Sequence, residues 1–384
     1  MKFEMVDGLR QGPTLKVIGV GGGGGNAVEY MVSKEVQGVE FIAANTDNQA
    51  LESLAAVPTR VILGKEVTRG YGAGGDPDLG RAAAEENRND IRDAIQGTDM
   101  LFVAAGMGGG TGTGAAPVVA EVAKELGVLT VAVVTRPFGR ERRTETADAG
   151  IIELSRHVDT MITIPNDKLS QLTGESTGFM DVFEKPNQVL LGAVQGIADV
   201  ITRVGRINVD FADVKTVMSK RGAALMGTGC ASGDGRAAEA VDQAVRSPLL
   251  EDVDLKGAKA VLVNLTGGPD LQYDEFEDVQ EAVTGHTDPE VRVFAGVVID
   301  PDLQDEIRVT VVATGIPNRA MQPGIVVNNA PVTAAVEPHN FERPAYERER
   351  QNEPRPPLVA QREGTTGGGE RLLSLHEFFT RQAD

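Results

Sequence analysis

Two runs of glycine, each set between an apolar stretch and a helix-forming one, constrain this chain more than any other feature. The first is Gly19-Val-Gly21-Gly22-Gly23-Gly24-Gly25-Asn26, and the second is Gly106-Met-Gly108-Gly109-Gly110-Thr111-Gly112-Thr113-Gly114. Consecutive glycines are expensive in backbone entropy, and a tight turn needs only one or two. Such a run offers a series of free N–H groups at a helix N-terminus, where an anion is welcome. Gly19, Gly21 and Gly24 satisfy G-x-G-x-x-G, a weak signal by itself. GGGTGTG says more, since it adds two hydroxyls able to donate to phosphate oxygens. Two such loops in one sheet grip a polyphosphate from two sides. The grip has no Walker lysine, because Gly64-Lys65 is followed by Glu66.

The surrounding pattern alternates strand and helix in the α/β manner. Apolar runs predict strands at Leu15–Val20, Val39–Ala44, Met100–Ala105, Leu129–Thr135 and Met161–Ile164. Helices are expected at Asn26–Ser33, Leu79–Ile95, Gly114–Leu126 and Thr144–Arg156. From Pro186 to Val204 the chain reads as one long helix, apolar on most sides and therefore buried. A helix at Phe211–Ser219 leads to a second α/β block. Its strands are expected near Ala224–Cys230, Ala260–Leu265, Arg292–Val298 and Ile307–Thr314, and its helices at Arg236–Arg246 and Asp274–Val283. The expectation is thus two α/β units joined by a central helix.

Charge and composition exclude several classes. Lys and Arg number 37 against 56 Asp and Glu, a net charge of −19, whereas a general nucleic-acid binder needs a basic surface. The single cysteine, Cys230, rules out a disulfide framework and fits a reducing cytoplasm. No run approaches 18 apolar residues, and MKFEMVDGLR lacks a signal-peptide core, so no direct membrane insertion is expected. Composition breaks near Ile316: residues 317–384 hold 8 of the 19 prolines and no lysine. Such a stretch cannot bury enough surface to offset its ordering entropy, so 317–370 is read as a disordered linker and 371–384 as a separate motif.

A third constellation is Asn208-Val-Asp210-Phe-Ala-Asp213, where the two acids stand three apart at a helix start and so face one region. Helix capping and dipole matching explain acids in a first turn equally well, and spacing alone does not separate the two readings.

Taken with the strings KVIGVGGGGGNAV, FIAANTD, FVAAGMGGGTGTGAAPVVA, TIPNDKL, INVDFADVKTVM, LMGTGCASG, SPLLEDVDLKGA and VTVVATG, the chain resembles the FtsZ family of bacterial division GTPases, within the tubulin superfamily. The match runs through residues 14–316. It implies a tubulin-like α/β fold: an N-terminal extension (1–13), a Rossmann-like GTP-binding domain (14–185), a central helix (186–204) and a smaller C-terminal α/β domain with a catalytic loop (205–316). The disordered linker and a partner-binding motif would follow.

Position by position, the resemblance assigns the GTP or GDP phosphates to Gly22, Gly23, Gly24, Gly25 and Asn26, and to Gly106, Gly108, Gly109, Gly110, Thr111, Gly112, Thr113 and Gly114. It adds Asp47, Ala73 and Gly74 around the nucleotide. Asn166 would reach the base, Phe183 would stack on the guanine and Asn187 would bond its edge. By residue type alone Phe183, an apolar residue entering a buried helix, reads as core rather than as a ligand contact. In such proteins Asn208, Asp210 and Asp213 meet the nucleotide of the next subunit in a head-to-tail filament, where they hold the attacking water while Mg²⁺ neutralises phosphate charge. The sequence names no metal ligand. The last residues, 371–384, would bind membrane-anchoring and regulatory division proteins, at a mid-cell ring in the cytoplasm.

Departures are specific. The family's P-F-x-F-E-G-x-x-R stretch is here Pro137-Phe138-Gly139-Arg140-Glu141-Arg142-Arg143, two residues shorter. Arg143 falls where the family's phosphate-binding Arg stands, and Glu141 is a partial stand-in for its ribose-binding Glu. G-A-G-A-N-P appears as Gly72-Ala73-Gly74-Gly75-Asp76-Pro77, placing a negative charge where it would either coordinate a metal or weaken nucleotide affinity. Gln188 replaces a common Asp, and His376 and Thr380 alter the C-terminal motif. Two other readings remain at this point: a dinucleotide-binding oxidoreductase on Gly19, Gly21 and Gly24, and a tubulin-like filament protein for plasmid segregation or cell shape. The former leaves GGGTGTG without a task, and Asp47 comes late for its ribose-binding acid.

Overall fold

The run Leu15–Val20 forms β1, buried on both faces as a central strand of a parallel sheet must be. The computed structural model describes residues 12–169, 179–203, 207, 209–220, 222–247, 250 and 255–316. After β1 come α1 (Gly21–Ser33), β2 (Val39–Asn45), α2 (Asn48–Ser53), β3 (Thr59–Ile62), α3 (Pro77–Glu86) and α4 (Arg88–Ile95). β4 (Met100–Gly106), α5 (Gly110–Glu125), β5 (Leu129–Arg136), α6 (Thr144–Ser155), β6 (Thr160–Pro165) and α7 (Asn166–Leu169) complete the first block. The long α8 (Phe179–Thr202) is followed by α9 (Phe211–Met218), β7 (Ala223–Ser232), α10 (Arg236–Val245), β8 (Ala260–Gly267), α11 (Tyr273–Gly285), β9 (Arg292–Ile299) and β10 (Glu306–Ile316).

These strands form one sheet, ordered β3-β2-β1-β4-β5-β6-β7-β10-β8-β9. The first six are parallel, and β10 runs antiparallel between β7 and β8. The two expected α/β blocks are therefore continuous, but the seam is slight: Met161 pairs with Ala223 and Ile162 with Ala224. α8 does more of the joining. Its Leu190, Ala193, Val194, Ile197 and Ala198 are buried in a core shared with β1, β4, β5, β8 and Met226. Fully burying a side chain such as Ile197 stabilises by about 1.5–3 kcal/mol, so this face holds the blocks together far more than two ladder pairs do.

The structure corrects the expected helix over 79–95. Asn87 divides it into α3 and α4: its Oδ1 accepts the N–H of Gly64 at 2.7 Å and its Nδ2 donates to Asp90 at 2.6 Å. A short amide side chain bonding locally competes with helix continuation. α1 and α5 begin at Gly21 and Gly110, earlier than Asn26 and Gly114, so the glycine runs supply the first helical turns. β3 and α2 are short and mostly polar, and carry too little periodicity to be anticipated. The N-terminal extension up to residue 11, the linker 317–370, the motif 371–384, Asn208 and the side chain of Phe183 lie outside the described residues.

Candidate functional site

The strand order reverses between β1 and β4, and in an open α/β sheet the crevice beyond that switch point is where ligands bind. Two of the helices that start there open with the glycine runs. α1 and α5 each lack a side-chain cap and carry no acid in the first turn, so their leading N–H groups and positive dipole ends are uncompensated. The neighbouring helices differ. Asp47 caps α2 by accepting the N–H groups of Gln49 (2.9 Å) and Ala50 (3.2 Å). Asp76 caps α3 through Asp78 (2.9 Å) and Leu79 (3.4 Å). α4 and α6 also lack a side-chain cap, but each carries an acid in its first turn, Asp90 and Glu145; α1 and α5 have neither cap nor acid.

Between them lies a cavity of about 340 Å³, lined by Gly22, Gly23, Gly106, Met107, Gly109, Gly110, Thr111, Gly112, Thr135, Pro137, Glu141, Arg143 and Asn166. Gly22 and Gly109 have no atom within 4 Å of where a Cβ would stand, and neither has a positive φ. Nothing within the protein requires glycine at either position, whereas a ligand lying against the backbone would. Asn166 adds a second indication, since its Oδ1 is buried without a hydrogen-bond partner. A buried acceptor left unpaired costs about 1–3 kcal/mol, which a ligand donor would remove.

The rim is basic and partly paired. Arg143 donates to Glu141, whose other oxygen accepts the Phe138 N–H at 2.9 Å. The Arg140 guanidinium lies 4.9 Å from the centre of the Phe138 ring. Below the loops, the Thr111 and Thr46 hydroxyls are 2.6 Å apart.

Of the residues expected around the nucleotide, Gly22, Gly23, Gly106, Gly109, Gly110, Thr111, Gly112, Glu141, Arg143 and Asn166 share the cavity wall. Others have work inside the protein. A Cβ on Gly24 would stand 2.3 Å from the Ala104 carbonyl oxygen, and one on Gly114 1.9 Å from that of Pro77, so these two allow helices to close on their neighbours. Gly25 is buried against Leu54, and Thr113 Oγ1 accepts the N–H of Gly108 at 2.8 Å. Ala73 is buried beside Gly110, Gly74 and Asn26 are exposed, and Asn187 is half-buried on α8. Asp47 and Asp76 hold helix caps. Met107, Thr135 and Pro137 line the cavity without having been anticipated; the register pair Gly106–Thr135 brings the end of β5 there, and the Pro137 that follows that strand was the available signal.

Asp210 and Asp213 are elsewhere. Asp210 shares a second cavity with Gly12, Pro13, Gly38 and Arg203, at the N-terminal ends of β1 and β2, opposite the glycine loops. α8 spans the distance: 24 helical residues extend about 36 Å. Asp210 occupies the N-cap position of α9 yet makes no capping bond, and its side chain is exposed. The capping explanation therefore fails for Asp210, while Asp213 stands in the first turn where it matches the dipole. Among the described residues no group of three or more His, Cys, Asp or Glu is placed to hold a metal ion.

The Tubulin/FtsZ family GTPase-domain model matches residues 14–174, and the FtsZ family C-terminal domain model matches 222–317. The cell division protein FtsZ of Pseudomonas putida KT2440 is 55% identical over 334 residues, covering 86% of this chain and 84% of its own length. That of Coxiella burnetii is 54% identical over 357 residues, 90% of this chain and 91% of its own. Among solved structures, an empty FtsZ dimer from M. jannaschii is 42% identical with a TM-score of 0.75, over 79% of this chain and 88% of that one.

Proposed function

The chain belongs to the FtsZ branch of the Tubulin/FtsZ family, and on that premise we propose that the cavity at the ends of β1 and β4 binds the guanine nucleotide it hydrolyses. It is a filament-forming division GTPase that self-associates. Neither the oxidoreductase nor the plasmid-segregation reading is favoured. The observation that carries the site assignment is the convergence of two uncapped helix N-termini on glycines that the protein itself does not require.

In this reading the N–H groups leading α1 and α5 hold the phosphates, and they act as fixed dipoles that need no reorganisation when charge develops. Thr111 donates a hydroxyl, and Arg143 turns its guanidinium from Glu141 to the phosphates. Asn166 accepts a bond from the nucleoside through its orphaned Oδ1. Phe183 and Asn187 recognise the guanine. Mg²⁺, which is usually held by phosphates and water with few protein ligands, would neutralise phosphate charge and fits a site with few free carboxylates.

The attacking water needs a base, and the cavity wall has only Glu141, which is engaged with Arg143 and Phe138. Asp210, with Asp213 one turn along α9, stands by the N-terminal ends of β1 and β2, at the far end of those strands from the glycine loops, both beyond reach of their own nucleotide. A second copy stacked head to tail brings them over it. A carboxylate cannot stabilise the anionic phosphoryl group directly, so their task, with Asn208, is to hold and activate water. Assembly would then switch on hydrolysis, in the cytoplasm at the mid-cell ring, with residues 371–384 recruiting membrane-anchoring and regulatory partners.

GTP turnover measured against protein concentration, with light scattering in parallel, tests this. Turnover per molecule should rise steeply at the concentration where scattering appears. A rate per molecule independent of concentration would refute the shared site, and chromatography of the nucleotide released from purified protein should give GDP or GTP.

A further inference from the structure

We infer that Thr46 is a positioning residue for the nucleotide, fixing the Thr111 hydroxyl so that its proton points into the cavity; this rests on the nucleotide reading above. Thr46 is fully buried just beyond β2, and its Oγ1 lies 2.6 Å from Thr111 Oγ1. That is the one hydrogen bond its hydroxyl makes among the described residues. Each threonine hydroxyl has a single proton to donate. If Thr111 were the donor, the proton of Thr46 would be buried facing no acceptor, a costly arrangement. Thr46 must therefore donate and Thr111 accept. The proton of Thr111 is then the one left over, on a residue that lines the cavity.

Thr46 is also held from behind. Its carbonyl accepts the N–H of Gly72 at 3.1 Å and the hydroxyl of Thr68 at 3.2 Å, so the loop after β3 fixes the backbone that carries it. In a phosphate grip without a Walker lysine, a side-chain donor with a settled direction has few substitutes.

The test measures GDP and GTP dissociation constants by calorimetry on nucleotide-stripped protein, together with melting temperature without nucleotide. Thr46→Val, which keeps shape and removes the donor, should weaken both nucleotides about fivefold, the worth of one ordinary hydrogen bond. Thr46→Ser should bind within about twofold of the wild type, since it retains the donor. Thr111→Val should weaken binding at least as much, and adding Thr46→Val to it should cost no further affinity. The double variant should melt above Thr111→Val alone, because the second change removes a buried hydroxyl that the first left unpaired. Should Thr46→Val not fold, Thr46→Ala takes its place in each comparison. A variant that melts lower but binds as the wild type makes Thr46 purely structural and overturns the inference. So does a full Thr46→Val effect on the Thr111→Val background. A wild type that binds no guanine nucleotide refutes the reading of the cavity itself.

Discussion

Arg143 directs its guanidinium at Glu141, and Glu141 accepts the Phe138 N–H at 2.9 Å through its second carboxylate oxygen. The shortened 137–143 segment is thus tied across its own turn, with both side chains on the cavity wall. Arg143 has a holding partner when no phosphate is present, and Glu141 is spent on the turn. Arg143→Ala should weaken GTP binding about tenfold or more, since a charge-assisted contact to phosphate is lost. Glu141→Ala should weaken it less, because it frees Arg143 while loosening the loop. Calorimetry on both variants decides; the opposite order would show that Arg143 does not reach the phosphates.

Asp76 stands where the resemblance leads one to expect Asn, but the structure gives it a capping task at α3, with Pro77 in the first turn behind it. Its backbone packs on Gly110, whose Cβ would stand 2.9 Å from both Asp76 N and O. Asn caps a helix as well as Asp does, so Asp76→Asn should leave the melting temperature unchanged. Removing a negative charge beside a polyphosphate should tighten GTP binding, by about twofold to threefold at low salt and less as salt rises. Asp76→Ala should instead cost about 1 kcal/mol of stability. If Asp76→Asn abolishes binding, the carboxylate has a direct role with the nucleotide or its metal ion.

The contrast between Asp76 and Gly109 shows where sequence reasoning reached its limit. Strand–glycine–helix transitions are local, so both loops, most strands and the buried central helix were legible from periodicity. Which glycines face a ligand was not. Gly22 and Gly109 open on the cavity while Gly24 and Gly114 pack against backbone, and that difference depends on which helix crosses which strand. Asp76 was read as a charge near phosphate although Asp-Pro is also a helix-start pattern. Thr46 was one letter in FIAANTD, without visible chemistry until Thr111 stood opposite it.

Arg236, at the start of α10, is buried at 5% exposure and bonds Glu275 at 2.7 and 3.0 Å and Asp270 at 2.6 Å. Its guanidinium holds the Glu275 carboxyl below the usual carboxylate range, and Asp270 likewise. Groups depressed in the folded state contribute stability above their unfolded pKa values, and that contribution is lost as pH falls through the folded values. Urea unfolding of the wild type should therefore show the C-terminal block weakening between about pH 4.5 and pH 3. Arg236→Met should lower stability at pH 7, because it removes the guanidinium that favours the charged form of both carboxyls. The same variant should lose little more on acidification. An unchanged pH slope in Arg236→Met would mean that other carboxylates control it.

A site divided between subunits makes a demand that a self-contained site does not. Asp213→Ala leaves the glycine loops intact and removes an acid proposed to hold water. Gly109→Glu should do the reverse: with φ of −91° and open space at its Cβ, a side chain enters without strain, fills the cavity and repels phosphate. Each variant alone should turn over little GTP. In a mixture, some contacts set the intact acidic loop of the Gly109→Glu protein over the intact cavity of the Asp213→Ala protein. Turnover should reappear there and depend on total protein concentration, because that site exists only in the assembled pair. Co-sedimentation must first establish that the two proteins assemble together. If they co-sediment and the mixture remains as inactive as its parts, the acidic loop does not complete a neighbour's site. Asp213 would then return to matching the dipole of α9, and the base for the attacking water would have to come from the cavity's own wall.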